Sequence, residues 1–205
     1  MKTDALKWND RYRSEVEAAF TQPRSFLIEA AEFLPRAGLA LDMAMGLGGN
    51  AAFLIERGLR VIGLDVSEVG LHRAKDRLPT LMAAVVDLDR FDLPAASFDV
   101  VINFYYLQRD LWPQYRRVIR SGGVLIMETL LQDGSRSDVN PDYLLQPDEL
   151  RRAFADWDIL IYREGQQGKD CDSARAVASL VARKPISAAS LSDKSLYKNP
   201  IAPRL

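Results

Sequence analysis

Residues 39–54, LALDMAMGLGGNAAFL, set one aspartate, Asp42, and three glycines, Gly46, Gly48 and Gly49, between two apolar segments. An apolar run that meets glycines and then resumes at helical spacing reads as strand, tight loop and helix. In such a unit the loop amides and the helix N-terminus face whatever lies above the carboxyl end of the sheet, and glycine admits a ligand that a side chain would push away. A plain turn with a solvated aspartate accounts for the same residues without a ligand. Either way, the stretch commits the chain to alternating strands and helices.

The rest of the sequence keeps that alternation. RSFLIEAAEFL, residues 24–34, has apolar residues at helical spacing and is closed by Pro35 and Gly38. AAFLIERG is a helix stopped by Gly58, RVIGLD a buried strand, and SEVGLHRAKDRL a helix capped by Ser67. LMAAVVD, FDVVINF and VLIMET give three further strands, with the helix LWPQYRRVIR and the turn SGG between the last two. QPDELRRAF is a helix, and WDILIYREG and ARAVASLVARK are strands whose connection, 163–173, is short enough for an antiparallel hairpin. Short apolar strands of this kind are buried in parallel sheets covered on both faces. The expected architecture is therefore α/β: a doubly wound, mostly parallel seven-stranded sheet of Rossmann-like type with an antiparallel C-terminal hairpin, over residues 1–184. Residues 185–205, rich in Ser, Ala, Pro and Lys without periodicity, read as a flexible tail.

The chain has 205 residues, 48% of them hydrophobic and 27% charged, enough for one domain with a real core. A net charge of -1 supplies no field to gather nucleic acid or an anionic membrane, which points to a small-molecule partner and leaves monomer or homodimer open. One cysteine, Cys171, and a start, MKTDALKWNDRYRSE, without an apolar core make a cytoplasmic location the expectation. The weakly polar run 37–55 is broken by Asp42, Asn50 and glycines and does not read as a membrane span. With His72 the one histidine, no His/Cys metal cluster is expected.

Gly46-Leu47-Gly48-Gly49-Asn50-Ala51 fits the loose dinucleotide spelling G-x-G-x-x-A, and Asp65, 17 residues after Gly48, is placed to accept hydrogen bonds from ribose hydroxyls. Asp87 closes the third strand, where it would face an adenine amino group, and Asp42 precedes the glycines, where a cationic amine could be compensated. This set resembles the class I S-adenosylmethionine-dependent methyltransferases from about Trp8 to Lys184. The resemblance implies S-adenosyl-L-methionine as cofactor. Asp42, Gly46 and Gly48 would hold its methionine end, Asp65 its ribose, and Asp87 with Leu88 its adenine. Asn103 would stand near the transferred methyl. An aromatic and a guanidinium suit an adenosyl compound with a carboxylate, so Trp8 and Arg11 are read either as a lid over the cofactor or as a pin for the N-terminus. WNDRY (8–12), YLQRDLWPQ (106–114), GGVLIMET (122–129) and LLQPDELRRAFADWDILIYREG (144–165) look like the tellurite-resistance and thiopurine branch. At 166–171 this chain has QQGKDC where tellurite methyltransferases carry a His-Arg pair, which turns the expected acceptor away from tellurite.

NFYYLQR, after the fourth strand, is expected to build the acceptor side, with Tyr105 and Tyr106 as walls and Arg109 drawing negative charge. A core role for the two tyrosines is the competing reading. Thiolates and oxyanions need little help from a base, which suits a chain so poor in histidine. The function expected is methyl transfer to a small thiol, oxyanion or aromatic compound, without a metal. An NAD(P)-dependent small reductase and a non-catalytic S-adenosylmethionine-binding module are the alternatives.

Overall fold

The computed structural model describes residues 2–14, 18–88, 91–132, 139–167 and 175–186. The chain opens with three helices, α1 (Lys2–Ser14), α2 (Ala18–Thr21) and α3 (Ser25–Glu29), the last running into a 3-10 turn at Ala30–Phe33. It then alternates β1 (Gly38–Met43), α4 (Gly49–Glu56), β2 (Leu59–Asp65), α5 (Glu68–Arg77), β3 (Met82–Val85), β4 (Phe98–Phe104), α6 (Trp112–Val118) and β5 (Ile119–Leu130). The short helix α7 (Glu149–Ala153) and the strands β6 (Asp158–Gln167) and β7 (Arg175–Arg183) complete it.

The seven strands form one sheet in the order β3-β2-β1-β4-β5-β7-β6. β1 to β5 are parallel, and β7 inserts antiparallel between β5 and β6. This is the doubly wound sheet with a C-terminal hairpin that the periodicity predicts. Strand order reverses at β1, whose neighbours are β2 and β4, so a crevice is expected outside the carboxyl ends of these strands. Both faces are buried. Met43, Val101, Leu125 and Met127 pack with Tyr115, Leu150 and Phe154 on one side. Ala40, Val100, Ile102 and Ile126 pack with Phe26, Leu27 and Leu54 on the other.

SGG is not the turn expected of it. Residues 121–123 lie inside β5 as a bulge: Gly122 takes φ +78°, and the register with β4 shifts between Phe98 and Val100. The Gly122 amide donates to Lys184 O at 3.0 Å and the Lys184 amide to Gly123 O at 2.9 Å, so the bulge is paired to the residue just after β7. Cys171, residues 168–171 of QQGKDC and positions 187–205 of the expected tail lie outside the described residues. Among the described residues, no helix is long and apolar enough to cross a membrane.

One alanine carries strain next to the glycines. Ala44, directly after β1, has φ +53°, the left-handed region that costs an L-residue about 1–2 kcal/mol. Ala44→Gly is expected to relieve that strain against some loss of unfolded-state restriction, raising the melting temperature by roughly 2–4 °C in calorimetry.

Candidate functional site

At the carboxyl edge of β1, the chain turns through Gly46 at φ +56° and Gly48 at φ +75°, and Gly48 becomes the N-cap of α4. The loop is tied to β2 by Met45 N donating to Leu64 O at 3.0 Å. Asp65, ending β2, lies directly beneath it. Its carboxylate accepts the Gly46 and Ser67 amides, each at 2.8 Å, and so joins the glycine loop to the start of α5. Burial raises its pKa, against the opposing pull of those amides and that of Val66.

Asp42, one strand over, is 1% exposed, and its Oδ2 has no hydrogen-bond partner. Burial first and the Asp65 charge second push its carboxyl well above the ordinary range, opposed only by the Ala51 amide. Buried charge without a partner is expensive, so a cation or a hydrogen-bond donor reaching that oxygen would be favoured. This orphaned oxygen and the loop's left-handed glycines fit the ammonium and amino-acid end of S-adenosylmethionine.

A cavity of about 430 Å³ opens at the carboxyl ends of β3 and β4, lined by Leu88, Phe91, Gln108, Asp110, Leu111 and Gln114. Its size is in the range of small-ligand sites. Three of its six lining residues are polar, Gln108, Asp110 and Gln114, and Leu88, expected at the adenine, is one of the three apolar ones. Asp87, half-buried, is next to it in the chain.

Helix α1 covers the glycine loop. Asn9 Oδ1 accepts Ser67 Oγ at 2.7 Å and the Val69 amide at 3.2 Å, docking α1 on the first turn of α5. Tyr12 is buried, stacks on Trp8 at 5.5 Å, and its hydroxyl lies 2.8 Å from where a Cβ on Gly46 would stand. Trp8 and Arg11, the expected lid pair, lie beside each other, the Arg11 guanidinium 5.3 Å from the Trp8 ring centroid. Tyr12 and Asn9, which sequence reading passed over, are the residues of WNDRY that face the loop and α5. Asn9→Ala is expected to remove about 1 kcal/mol and to speed amide exchange in α1 while the sheet keeps its protection, as hydrogen exchange would register.

The acceptor side departs from expectation. Asn103, at the end of β4, is fully buried; its Nδ2 donates to Tyr115 Oη at 2.6 Å, and its Oδ1 has no partner. Tyr105 follows β4 at φ +59° and donates its hydroxyl to Glu128 Oε1 at 3.1 Å. Glu128, itself buried, accepts Ser179 Oγ at 2.8 Å on its other oxygen. Burial and the Glu128 carboxylate push the Tyr105 pKa up to about 12, so the phenol stays neutral. The Tyr106 hydroxyl bonds the Gln108 side chain.

Arg109 is not placed to draw substrate charge. It holds Glu149 through both carboxylate oxygens, at 2.5 and 2.9 Å, and donates to the carbonyls of Asp142 and Leu144, each at 2.9 Å. That pairing holds the Glu149 carboxyl below its ordinary range. The guanidinium therefore fastens segment 142–149 to the end of β4. Arg109→Ala is expected to lower stability by about 1 kcal/mol, a surface pair's contribution strengthened by its two-pronged geometry, measurable as a melting shift of roughly 2–4 °C.

Residues 40–123 match the family profile described as Methyltransferase domain. A probable S-adenosylmethionine-dependent methyltransferase of Mycolicibacterium smegmatis is 35% identical over 95 residues, 43% of this chain and 37% of that protein. A trans-aconitate 2-methyltransferase of Methylobacterium radiotolerans is 30% identical over 157 residues, 72% of this chain and 55% of that protein. The chain spans between about a third and just over half of the length of these relatives. Among solved structures, TehB from Haemophilus influenzae superposes with a TM-score of 0.67 at 18% identity, covering 78% of this chain and 62% of TehB, a likeness of fold. A structure described as belonging to the conversion of a disulfide bond into a thioacetal group during echinomycin biosynthesis superposes at 0.70 with 19% identity, covering 97% and 99% of the two chains. Residues 40–123 thus match the methyltransferase domain profile, and the strand order with the glycine loop at the switch point is that of the Rossmann-like methyltransferase fold.

Proposed function

We propose that this protein transfers the methyl group of S-adenosylmethionine to a small-molecule oxyanion or thiol. The observation that carries the reading is Asp42, buried beneath the glycine loop with one carboxylate oxygen unpartnered and a second acid, Asp65, beside it. A buried, unpartnered acid under the loop suits a cationic amino-acid end better than the pyrophosphate of a nicotinamide dinucleotide.

When bound, the cofactor supplies an electrophilic methyl on a sulfonium sulfur. The chain's own task is to seat two ligands in line and keep water away. Gly46 and Gly48 let the first lie against backbone, and Tyr12 with α1 roofs the loop. Tyr105, neutral and strained, presents a fixed ring at the end of β4. His72 lies exposed, 3.5 Å from Glu68, far from a role in proton removal. An acceptor already ionised at neutral pH needs no base, and the trans-aconitate relative is named for a carboxylate acceptor.

A screen of carboxylates, thiols, phenols and tellurite with labelled cofactor tests the proposal. Label is expected in a carboxylate or thiol. Saturable cofactor binding with no transfer to any of these would favour the non-catalytic module instead.

A further inference from the structure

We propose that Glu128 is a positioning residue for the transfer step: it grips Tyr105 by main chain and side chain, and so fixes the ring that walls the acceptor's side of the crevice. The inference rests on the methyltransferase reading and assigns a residue that lies outside both the glycine loop and NFYYLQR.

Glu128, on β5, stands in register with Phe104 of β4 and with Ser179 of β7. Cross-strand partners share a face of the sheet and successive residues alternate between faces, so an extended Tyr105 would point away from Glu128. Its left-handed φ of +59° turns the chain out of the strand and lets the phenol come back to the carboxylate. Both ends of the residue are then tied to Glu128. The Tyr105 amide donates to Glu128 O at 2.8 Å, and the hydroxyl donates to Oε1 at 3.1 Å. A non-glycine residue keeps such a conformation only where its surroundings over-determine it, and residues of that kind cluster where ligands are clamped.

Packing does not account for the carboxylate. On the same face, Val124 and Ile126 precede Glu128 in β5, and Val181 stands two residues past Ser179 in β7, all in the apolar core. A carboxylate 1% exposed at the next position of that row carries a desolvation cost that valine or leucine would not. Its oxygens are divided between two hydroxyls. Buried Ser179 Oγ donates to Oε2 at 2.8 Å, which leaves Oε1 aimed at Tyr105. The phenol, with its pKa pushed up to about 12 by burial and by Glu128, keeps the proton it donates. Control of the ring thus runs from β7 through β5 to the end of β4, and Glu128 acts through Tyr105.

Two substitutions separate position from charge. Glu128→Leu continues the apolar row and removes both accepting oxygens, whereas Glu128→Gln keeps one accepting oxygen for Tyr105 and an amide for Ser179. Transfer of labelled methyl to trans-aconitate, benzoate, thiophenol or phenol, whichever the wild type methylates fastest, supplies the readout. In Glu128→Leu, kcat/KM for that acceptor is expected to fall roughly ten- to a hundredfold, with part of the loss as a raised acceptor KM. Calorimetric affinity for S-adenosylhomocysteine should change by less than about twofold. Misfolding, by contrast, lowers kcat alone through the active fraction and leaves the acceptor KM where it was. Glu128→Gln should stay within about threefold of wild type, and Tyr105→Phe should lose as much as Glu128→Leu, with no further loss when the two are combined. An unchanged acceptor KM in Glu128→Leu would overturn the proposal, as would a Gln variant as impaired as the Leu variant or an equal loss of S-adenosylhomocysteine affinity. A wild type that binds S-adenosylhomocysteine but methylates none of the four compounds would sink the acceptor reading itself, and the positioning role with it.

Discussion

Asp42→Asn is expected to stabilise the ligand-free protein and to weaken its hold on S-adenosylhomocysteine, two effects of opposite sign from one buried oxygen. In the folded chain, the Asp42 carboxyl is raised well above its ordinary value of 3.8 by burial and by Asp65. The folded state therefore holds its proton at pH values where the unfolded state has released it. Its contribution to stability is fully present below about 3.8, falls as pH rises toward the folded value, and is absent above it. At neutral pH the wild type thus carries the cost of a buried carboxylate or of keeping it protonated. Asparagine keeps the shape and removes that cost. A rise of roughly 2–4 °C in melting temperature, corresponding to about 1 kcal/mol, is expected at neutral pH and should vanish on acidification. Acidification also protonates Glu149 and Asp156, whose lowered values pull the other way, so the variant-minus-wild-type difference is the quantity to follow. Affinity for the homocysteine cofactor should fall roughly ten- to a hundredfold, because its ammonium loses a charged partner. A variant that binds as tightly as wild type would place the ammonium elsewhere.

Asp65→Ala is the more damaging change, since it strikes fold and ligand together. The substitution leaves the Gly46 and Ser67 amides, both bonded to Asp65 at 2.8 Å, without their acceptor. Each orphaned buried donor costs about 1–3 kcal/mol, partly offset by removing a desolvated carboxylate whose pKa is itself raised. A net loss of about 2–4 kcal/mol is expected, with denaturant midpoints falling accordingly. Cofactor affinity should fall at least tenfold from lost ribose contacts and a loosened loop together. Asp65→Asn, which retains one accepting oxygen, separates the two effects: it should recover part of the stability, but not the charge-assisted bonds to a ribose diol.

The sheet was legible because its signals are local. Each buried strand is a short apolar run, and the glycine loop marks the passage from β1 into α4. The acids sit near strand ends: Asp65 closes β2, Asp42 is one residue before the end of β1, and Asp87 two residues past β3. What could not be read is decided by partners distant in sequence. Arg109 looks like a substrate cation until Glu149, 40 residues on, takes it. Tyr12 is only the last residue of WNDRY in the sequence, and α1 lays it against Gly46. Glu128 reads as the polar end of a strand until β7 brings Ser179 opposite it. SGG reads as a turn because a glycine pair signals one, whereas the register shift against β4 and the pairing to Lys184 keep it inside β5 as a bulge. The two left-handed residues next to strand ends, Ala44 and Tyr105, follow from tertiary context that overrides their own preferences.

Parallel calorimetric titrations of the purified chain with S-adenosylhomocysteine and with NADH test the central claim most directly. The account predicts saturable binding of S-adenosylhomocysteine at one site per chain and no more than dilution heat for the dinucleotide. Saturable binding of NADH, with none of S-adenosylhomocysteine, would contradict it.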